Sequence, residues 1–477
     1  MKKILENIKL HRILLFSLTF IALSVMWYIK YPYFLVWLEG FSYFSTLADF
    51  QQVHFNLPSD LLRYAASFVL QFYANPLVAA ATQALLALVF VLMIWDVVKH
   101  ICRESRNMIW ASYVLLPVFV LHQLSDLTLT RSFTWIAIAA GIALVVRIVG
   151  LWKNISLPIP KFLRSVFVSM LVLSASLIFT VTLFSVEGPL SNQHEEVARL
   201  EYYAENQQWD KILETVSRQQ AIKNEYLRKY VLLALSETGR LPEYALSYGL
   251  STADDFVFHD VQEPFCLNFN VMFYKHLGLY NYAIYQIYQQ AVQSLPGLSF
   301  DSVRSLIDIY LELKDYELAK KYMDILSYST CHGKWLEERK PKLEAIRNEE
   351  PAYSEIQPRF TLMSFLTDMS SMVDRYPYDK KYADYLLCGV LSEKDGNTFY
   401  NVFQIIAKTL YPDGENIPKL YQEALLLVAS HEPDVLQKYK ISDEVWNRFM
   451  DFTEMMRAGK VNQAKRKYSD TFWTYVY

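Results

Sequence analysis

No phosphate-cradling glycine loop occurs in this 477-residue sequence: it has neither a Walker motif nor GxGxxG, and HExxH, GxSxG and EF-hand patterns are also missing. Those gaps remove the nucleotide, zinc-protease, serine-hydrolase and calcium-binding classes that announce themselves by motif. Cysteine is sparse too. Cys102, Cys266, Cys331 and Cys388 lie far apart with no CxxC pair, so no zinc knuckle or dense disulfide framework is encoded. Spacing leaves open a disulfide between two of the last three. Charged residues make up only 20 % of the chain against 53 % hydrophobic, which is greasy for a soluble enzyme.

That apolar surplus is concentrated. Residues 1–186 carry 14 Lys and Arg against 7 Asp and Glu, while residues 187–477 carry 32 against 42. The first 188 residues read as a membrane domain of about five spans, at 13–29, 77–98, 109–124, 132–150 and 165–186. The first run is too long for a typical signal-peptide core and has no A-x-A site, so it reads as a retained anchor. Residues 33–50 and 60–73 read as interfacial helices. With the N-terminus inside, 11 of the 14 basic residues fall on inner segments, leaving Lys30, Arg63 and Arg131 outside. The expectation is a cytoplasmic N-terminus and an extracytoplasmic C-terminal part. Asp96 and Arg147 lie near inner span ends, where interfacial water can reach them, and read as solvated rather than as an intramembrane relay.

Beyond Glu187-Gly188-Pro189 the pattern changes to polar helices of about a dozen residues joined by short turns, with almost no strand-like alternation. The expected fold is all-α: a polytopic membrane helical domain followed by an α-solenoid. Second helices of successive pairs begin near residues 209, 242, 280, 316 and 461, the first four at intervals of 33–38 residues. Small residues recur where two helices must pack closely. Gly278, Tyr280, Ala283 and Ala291 mark one copy, Tyr316 and Ala319 another, Gly459 and Ala464 a third. This spacing resembles the tetratricopeptide repeat. Residues 189–349 therefore read as TPR-like repeats, and 358–477, after a break at 348–358, as a second helical block continuing the array.

That second block has a distinctive texture: DRYPYDKKYADYLLCGVLSEKDGNTFYNVFQ, YPDGENIPKLYQEALLL and the terminal YSDTFWTYVY. With the aromatic first loop, these stretches resemble a family of Bacteroidota inner-membrane proteins that join several spans to a repeat-like periplasmic domain. The resemblance implies location and architecture, and it carries no activity.

One stretch has the shape of chemistry. YPYFLVWLEGFSYFSTLADFQQ (31–52) surrounds Glu39 and Asp49 with aromatics. Multi-span glycosyltransferases that use lipid-linked sugars often carry an acidic residue in the first outer loop, where it acts as a base or holds a metal. Helical geometry opposes that reading, because in one continuous helix the two carboxylates stand about 15 Å apart. Gly40 is the point where a break would bring them closer. The plainer reading is a helix sunk into the interface or packed on other spans, its thin polar stripe turned to water or a partner. Cys331-His332 is a weak dyad candidate, and His259, Asp260 and Glu263 form a weak metal candidate on an acidic loop. The expected function is a membrane-anchored extracytoplasmic scaffold that binds a protein or peptide partner, with no catalytic residue, metal or cofactor and no nucleic acid. The alternative is an enzyme of envelope glycan or lipid chemistry using Glu39 and Asp49.

Overall fold

The computed structural model describes residues 2–102, 108–152, 160–186, 190–259, 263–293, 297–353 and 364–477. Among these residues the structure is helical, with no strand. The first part of the chain contains α1 (Lys2–Lys30), α2 (Pro32–Phe41), α3 (Ala48–His54), α4 (Pro58–Leu70), α5 (Pro76–Ile101), α6 (Trp110–Tyr113), α7 (Leu116–Leu124), α8 (Thr130–Trp152) and α9 (Val166–Leu183). Next come α10 (Leu190–Glu205), α11 (Trp209–Thr215), α12 (Arg218–Lys223), α13 (Glu225–Glu237), α14 (Leu241–Tyr244), α15 (Pro264–His276) and α16 (Tyr280–Gln293). Then follow α17 (Phe300–Glu312), α18 (Tyr316–Ser327), α19 (Gly333–Ala345), α20 (Phe365–Arg375), α21 (Lys380–Ser392), α22 (Gly396–Leu410) and α23 (Lys419–Ala429). The last four are α24 (Val435–Lys438), α25 (Asp443–Arg457), α26 (Val461–Lys467) and α27 (Phe472–Val476).

The chain packs as two compact units. One comprises residues 1–199 and 291–351, the other 200–290 and 352–477. Helices α17–α19 thus pack in the same unit as α1–α9. The expected break at 348–358 falls partly outside the described residues.

Among the described residues of the first unit, four helices are long and apolar enough to cross a membrane: Leu10–Lys30, Pro76–Ile101, Thr130–Leu151 and Val166–Leu183. At 1.5 Å per residue the shortest, of 18 residues, reaches about 27 Å. The fifth expected run, 109–124, is instead two short helices, α6 and α7, with Pro117 in the first turn of α7. Helix α5 is the most enclosed of the long four, with 39 % of its apolar window buried. Ala79, Ala80, Ala84 and Ala87 are completely covered, and such small side chains let α1 and α8 approach closely. Asn75 starts α5 by accepting the N–H groups of Leu77 and Val78, and Pro76 fits the first helical position.

Helices α5 and α8 run in the same direction, because Arg147 Nε donates to Asp96 Oδ2 at 2.7 Å near both C-termini. The chain between them must therefore return along the bundle, and α6 and α7 carry it. Their path is fixed by two polar contacts in an apolar setting: Thr19 and Tyr113 hydroxyls at 3.1 Å, and Gln123 Nε2 donating to Gln83 Oε1 at 2.7 Å. At the opposite end of α1, Trp27 and Tyr31 close on Phe184 with ring centroids 5.3 and 5.9 Å apart.

The second unit is built around aromatic clusters. Phe256, Phe273, Phe365 and Tyr385 have centroids 5.0–6.0 Å apart, and Trp473 at the chain end is buried with Val445, Phe452, Ala464 and Tyr468. Cys266 and Cys388 are buried and Cys331 is exposed; all four cysteines are free thiols.

A single turn type recurs through both units. Before α11, α14, α16, α18 and α26 the chain passes through a left-handed residue: Gln207 (φ 54°), Gly239 (68°), Gly278 (68°), Lys314 (58°) and Gly459 (74°). The next N–H in each case reaches back five residues, as in Leu279 to Tyr274 O at 2.8 Å and Asp315 to Tyr310 O at 2.9 Å. These are the positions at which the sequence sets the start of each second helix. Ala283, Ala319 and Ala464 are fully covered, Tyr280, Tyr316 and Ala291 are half-buried, and Gly459 is exposed. The turn survives where glycine is lost, at Gln207 and Lys314. A side chain in the left-handed region costs about 1 kcal/mol, which glycine avoids. Gln207→Gly is accordingly expected to raise the stability of the second unit by up to about 1 kcal/mol, and Gly278→Ala to lower it by a similar amount, in urea melts of the detergent-solubilised protein.

Candidate functional site

The segment expected as one interfacial helix over 33–50 is two helices, α2 and α3, separated by residues 42–47. Helix α2 stops because Ser42 turns extended (ψ 170°) while both its N–H and its hydroxyl donate to Glu39 O, at 3.0 and 2.8 Å. The break lies just beyond Gly40, and it separates the two acids instead of joining them. Glu39 is 3 % exposed, whereas Asp49 sits in the first turn of α3 facing solvent. The apolar face of α2 packs on other helices, one of the two places open to it. Phe34, Leu35, Trp37 and Leu38 are buried in protein, against α5, α17 and α1, so little of that face remains for lipid.

Both ends of α2 are held by residues remote in sequence. At the start, the Phe34 N–H donates to Glu195 Oε2 at 2.8 Å, and Arg199 reaches Glu195 Oε1 at 3.3 Å. An anion at a helix N-terminus satisfies an otherwise orphaned donor and meets the positive end of the dipole. Burial pushes the Glu195 carboxyl up to about 7, against the pull of the Phe34 hydrogen bond and Arg199.

At the other end, Arg304 of α17 grips Glu39 with both terminal nitrogens, Nη1 to Oε1 at 3.3 Å and Nη2 to Oε2 at 3.0 Å. His332 Nε2 lies 2.8 Å from Glu39 Oε1, and its Nδ1 lies 2.9 Å from the Ser329 hydroxyl. His332 is 4 % exposed, and its ring packs on Phe300 at a tilt of 34° with centroids 4.1 Å apart. Arg304 also pairs with Asp301, one turn earlier on α17. Burial alone raises the carboxyl of Glu39, but Arg304 and then His332 outweigh it and hold it below the ordinary glutamate range. The same carboxylates push the Arg304 guanidinium further toward its charged form.

Gly40 has a role that the helix-break argument overlooked. A Cβ placed there would overlap the Asp301 carboxylate, so the missing side chain is what lets α2 lie against the start of α17. Around this ionic centre the contact continues through backbone and aromatics. Phe300 N–H donates to Ser42 O at 2.8 Å, Thr46 donates to Tyr328 O through N–H and hydroxyl, and Thr330 donates its hydroxyl to the buried Gln71 at 2.6 Å. Tyr43 packs on Phe300 at 5.1 Å.

The arrangement brings together Glu39 and His332, which the sequence presents as unrelated candidates. It does not bring in Asp49 or Cys331. Arg304 and Asp301 were missed, although DSVR places them three apart on one face of a helix and so marks a paired stripe. In the second unit, His259 lies 3.1 Å from Asp254, and Glu263 accepts from the Tyr226 hydroxyl at 2.5 Å; Asp260 is outside the described residues. Among the described residues no group of three or more His, Cys, Asp and Glu is arranged to hold a metal ion.

Residues 6–187 and 128–477 match the model of a family of unknown function, DUF6057. The chain belongs to that family. No curated protein and no solved structure matches it. The DUF6057 match takes in both α2 and the α17–α19 segment, so the two sides of the Glu39 contact fall within the family's extent.

Removing one partner of a buried ion pair leaves the other charge uncompensated, at about 3–5 kcal/mol. Asp301 still balances Arg304, so Glu39→Ala is expected at the lower end of that range, measured by thermal unfolding in detergent. Because the Glu39 carboxyl is held low, its stabilisation is fully present above the ordinary glutamate value and is lost as pH falls through the lowered one. Glu39→Gln should remove that part of the acid sensitivity. Gly40→Ala should cost about 1–3 kcal/mol by displacing Asp301 while leaving every charge in place.

Proposed function

We propose that the protein is a membrane-anchored, non-catalytic helical scaffold of the bacterial cell envelope. In this reading the long apolar helices hold it in the inner membrane, and α6 with α7 supplies the fifth crossing. The α17–α19 segment is fixed to the first loop by Glu39, and the TPR-like helices of the periplasmic part receive a protein or peptide partner. The observation that carries the reading is the state of Glu39. Oε1 is engaged by Arg304 and His332 and Oε2 by Arg304, and the residue is almost wholly buried, so the carboxylate is committed to the fold and does not face a substrate. A carboxylate held low is also a poor proton acceptor at neutral pH.

Support for a partner-binding role comes from exposed apolar side chains in the second unit. Tyr378 is 82 % exposed, and Trp446 and Met450 stand one turn apart on α25, both exposed. The net charge of −10 over residues 187–477 favours a basic or neutral partner.

The test uses the full-length protein in its host. A photo-crosslinking amino acid at position 378, 446 or 450 should trap one discrete protein species. Glu39→Gln should complement a deletion strain at normal protein levels. Loss of function in Glu39→Gln with normal level and normal thermal stability, together with absence of any crosslink, would reverse the reading in favour of envelope glycan or lipid chemistry. Reporter fusions after residues 156 and 300 should report opposite compartments, with residue 300 outside the cytoplasm.

A further inference from the structure

The end of the helical bundle near residue 100 carries a second cluster of charge that the scaffold reading does not use. Helices α5 and α8 finish side by side there, and between their last turns lies a cavity of about 530 Å³ lined by Asp96, Lys99, His100, Arg147, Gly150 and Leu151. Arg147 Nε donates to the Asp96 carboxylate at 2.7 Å, while His100 Nδ1 lies 2.8 Å from the Asp96 backbone oxygen and 3.7 Å from its Oδ2. Lys99 is exposed and has no ion-pair partner among the described residues. With Asp96 neutralised by Arg147, the lining keeps a net positive charge, contributed by Lys99. A Cβ at Gly150 meets nothing within 4 Å, so the wall is open at that point.

Below this charged mouth the surface turns apolar. Leu144, Val145, Ile148 and Val149 of α8 are all exposed, as are Leu85 and Leu92 of α5. A positive recess roomy enough for a phosphate headgroup, beside a bare aliphatic wall, fits a ligand that is anionic at one end and hydrocarbon at the other. We infer that this recess binds the phosphate headgroup of an anionic phospholipid, with its acyl chains lying along α8. Lys99 and His100 contact the phosphate oxygens, and Arg147 is held in place by Asp96 for the same purpose. Basic recesses between spans are suited to this, since each Lys or Arg near an anionic leaflet contributes about 1 kcal/mol. The shared chemistry with free phosphate is the anion; the aliphatic wall is what favours the lipid.

The experiment takes the full-length protein in a mild detergent and counts bound lipid by native mass spectrometry. Phosphatidylglycerol or cardiolipin is titrated beside phosphatidylethanolamine and beside inorganic phosphate. Anionic lipid should be retained and should raise the melting temperature. Lys99→Ala should weaken retention about fivefold and Lys99→Glu about twentyfold or more, with both variants folding normally because Lys99 makes no ion pair with the described residues. Arg131→Ala, at the far end of α8, should leave retention unchanged. Equal retention of phosphatidylethanolamine, or equal retention of anionic lipid by Lys99→Glu, would overturn the proposal. So would inorganic phosphate binding as tightly as lipid and displacing it, which would mark a free-anion site instead.

Discussion

The first unit depends on the buried carboxylate of Glu39. A charge taken out of water must be met by an opposite charge and by hydrogen bonds that use its lone pairs, or the fold loses several kcal/mol. Arg304 and His332 meet that demand, and both come from the far side of the sequence. The ionic contact thus does more than add stability. It specifies which helix sits on the first loop, because no apolar contact would discriminate among the many Leu, Phe and Tyr faces available. Glu195 performs the matching task at the beginning of α2, so a ten-residue helix is defined at both ends by partners it meets only in the folded chain.

Most of the helical character was legible in the sequence, and the reasons are local. Runs such as ILLFSLTFIALSVMWYI identify apolar helices by composition alone, and the left-handed turns identify helix starts by spacing even at Gln207 and Lys314, where no glycine marks them. The candidate site was half legible. Glu39 stood out as an acid among aromatics, and His332 as a histidine beside a cysteine, yet nothing in their neighbourhoods connects positions 39 and 332. The single long helix expected over 33–50 failed because Ser42 ends α2 through a hydrogen bond from its own side chain, a competition with helix that apolar periodicity does not register. The fifth span was read as continuous because its composition is apolar throughout; its division into α6 and α7 rests on the turn at Val114 and Leu115 and on Pro117.

Polar contacts among the long apolar helices are of two kinds. Asp96 and Arg147, read from sequence as two independent solvated groups, satisfy each other across α5 and α8 and so fix the parallel direction of those helices. Polar contacts deeper in the bundle, Gln83 with Gln123 and Thr19 with Tyr113, set the depth of the returning segment. An apolar surround makes such contacts selective, because an unpaired polar group has no water to fall back on.

The two clamps on α2 also impose an order of events in time. Glu39 leaves the ribosome 293 residues before His332 and 265 before Arg304. At roughly 5–20 residues per second the gap is on the order of 15–60 s. Throughout that interval the side of α2 that meets α17 is uncovered, although α1 and α5 are already at hand for the rest, and its acid has no counter-charge. The newborn first loop therefore needs either the lipid interface or a chaperone as a temporary cover, and any mutation that slows delivery of α17 lengthens the time for which that cover must hold.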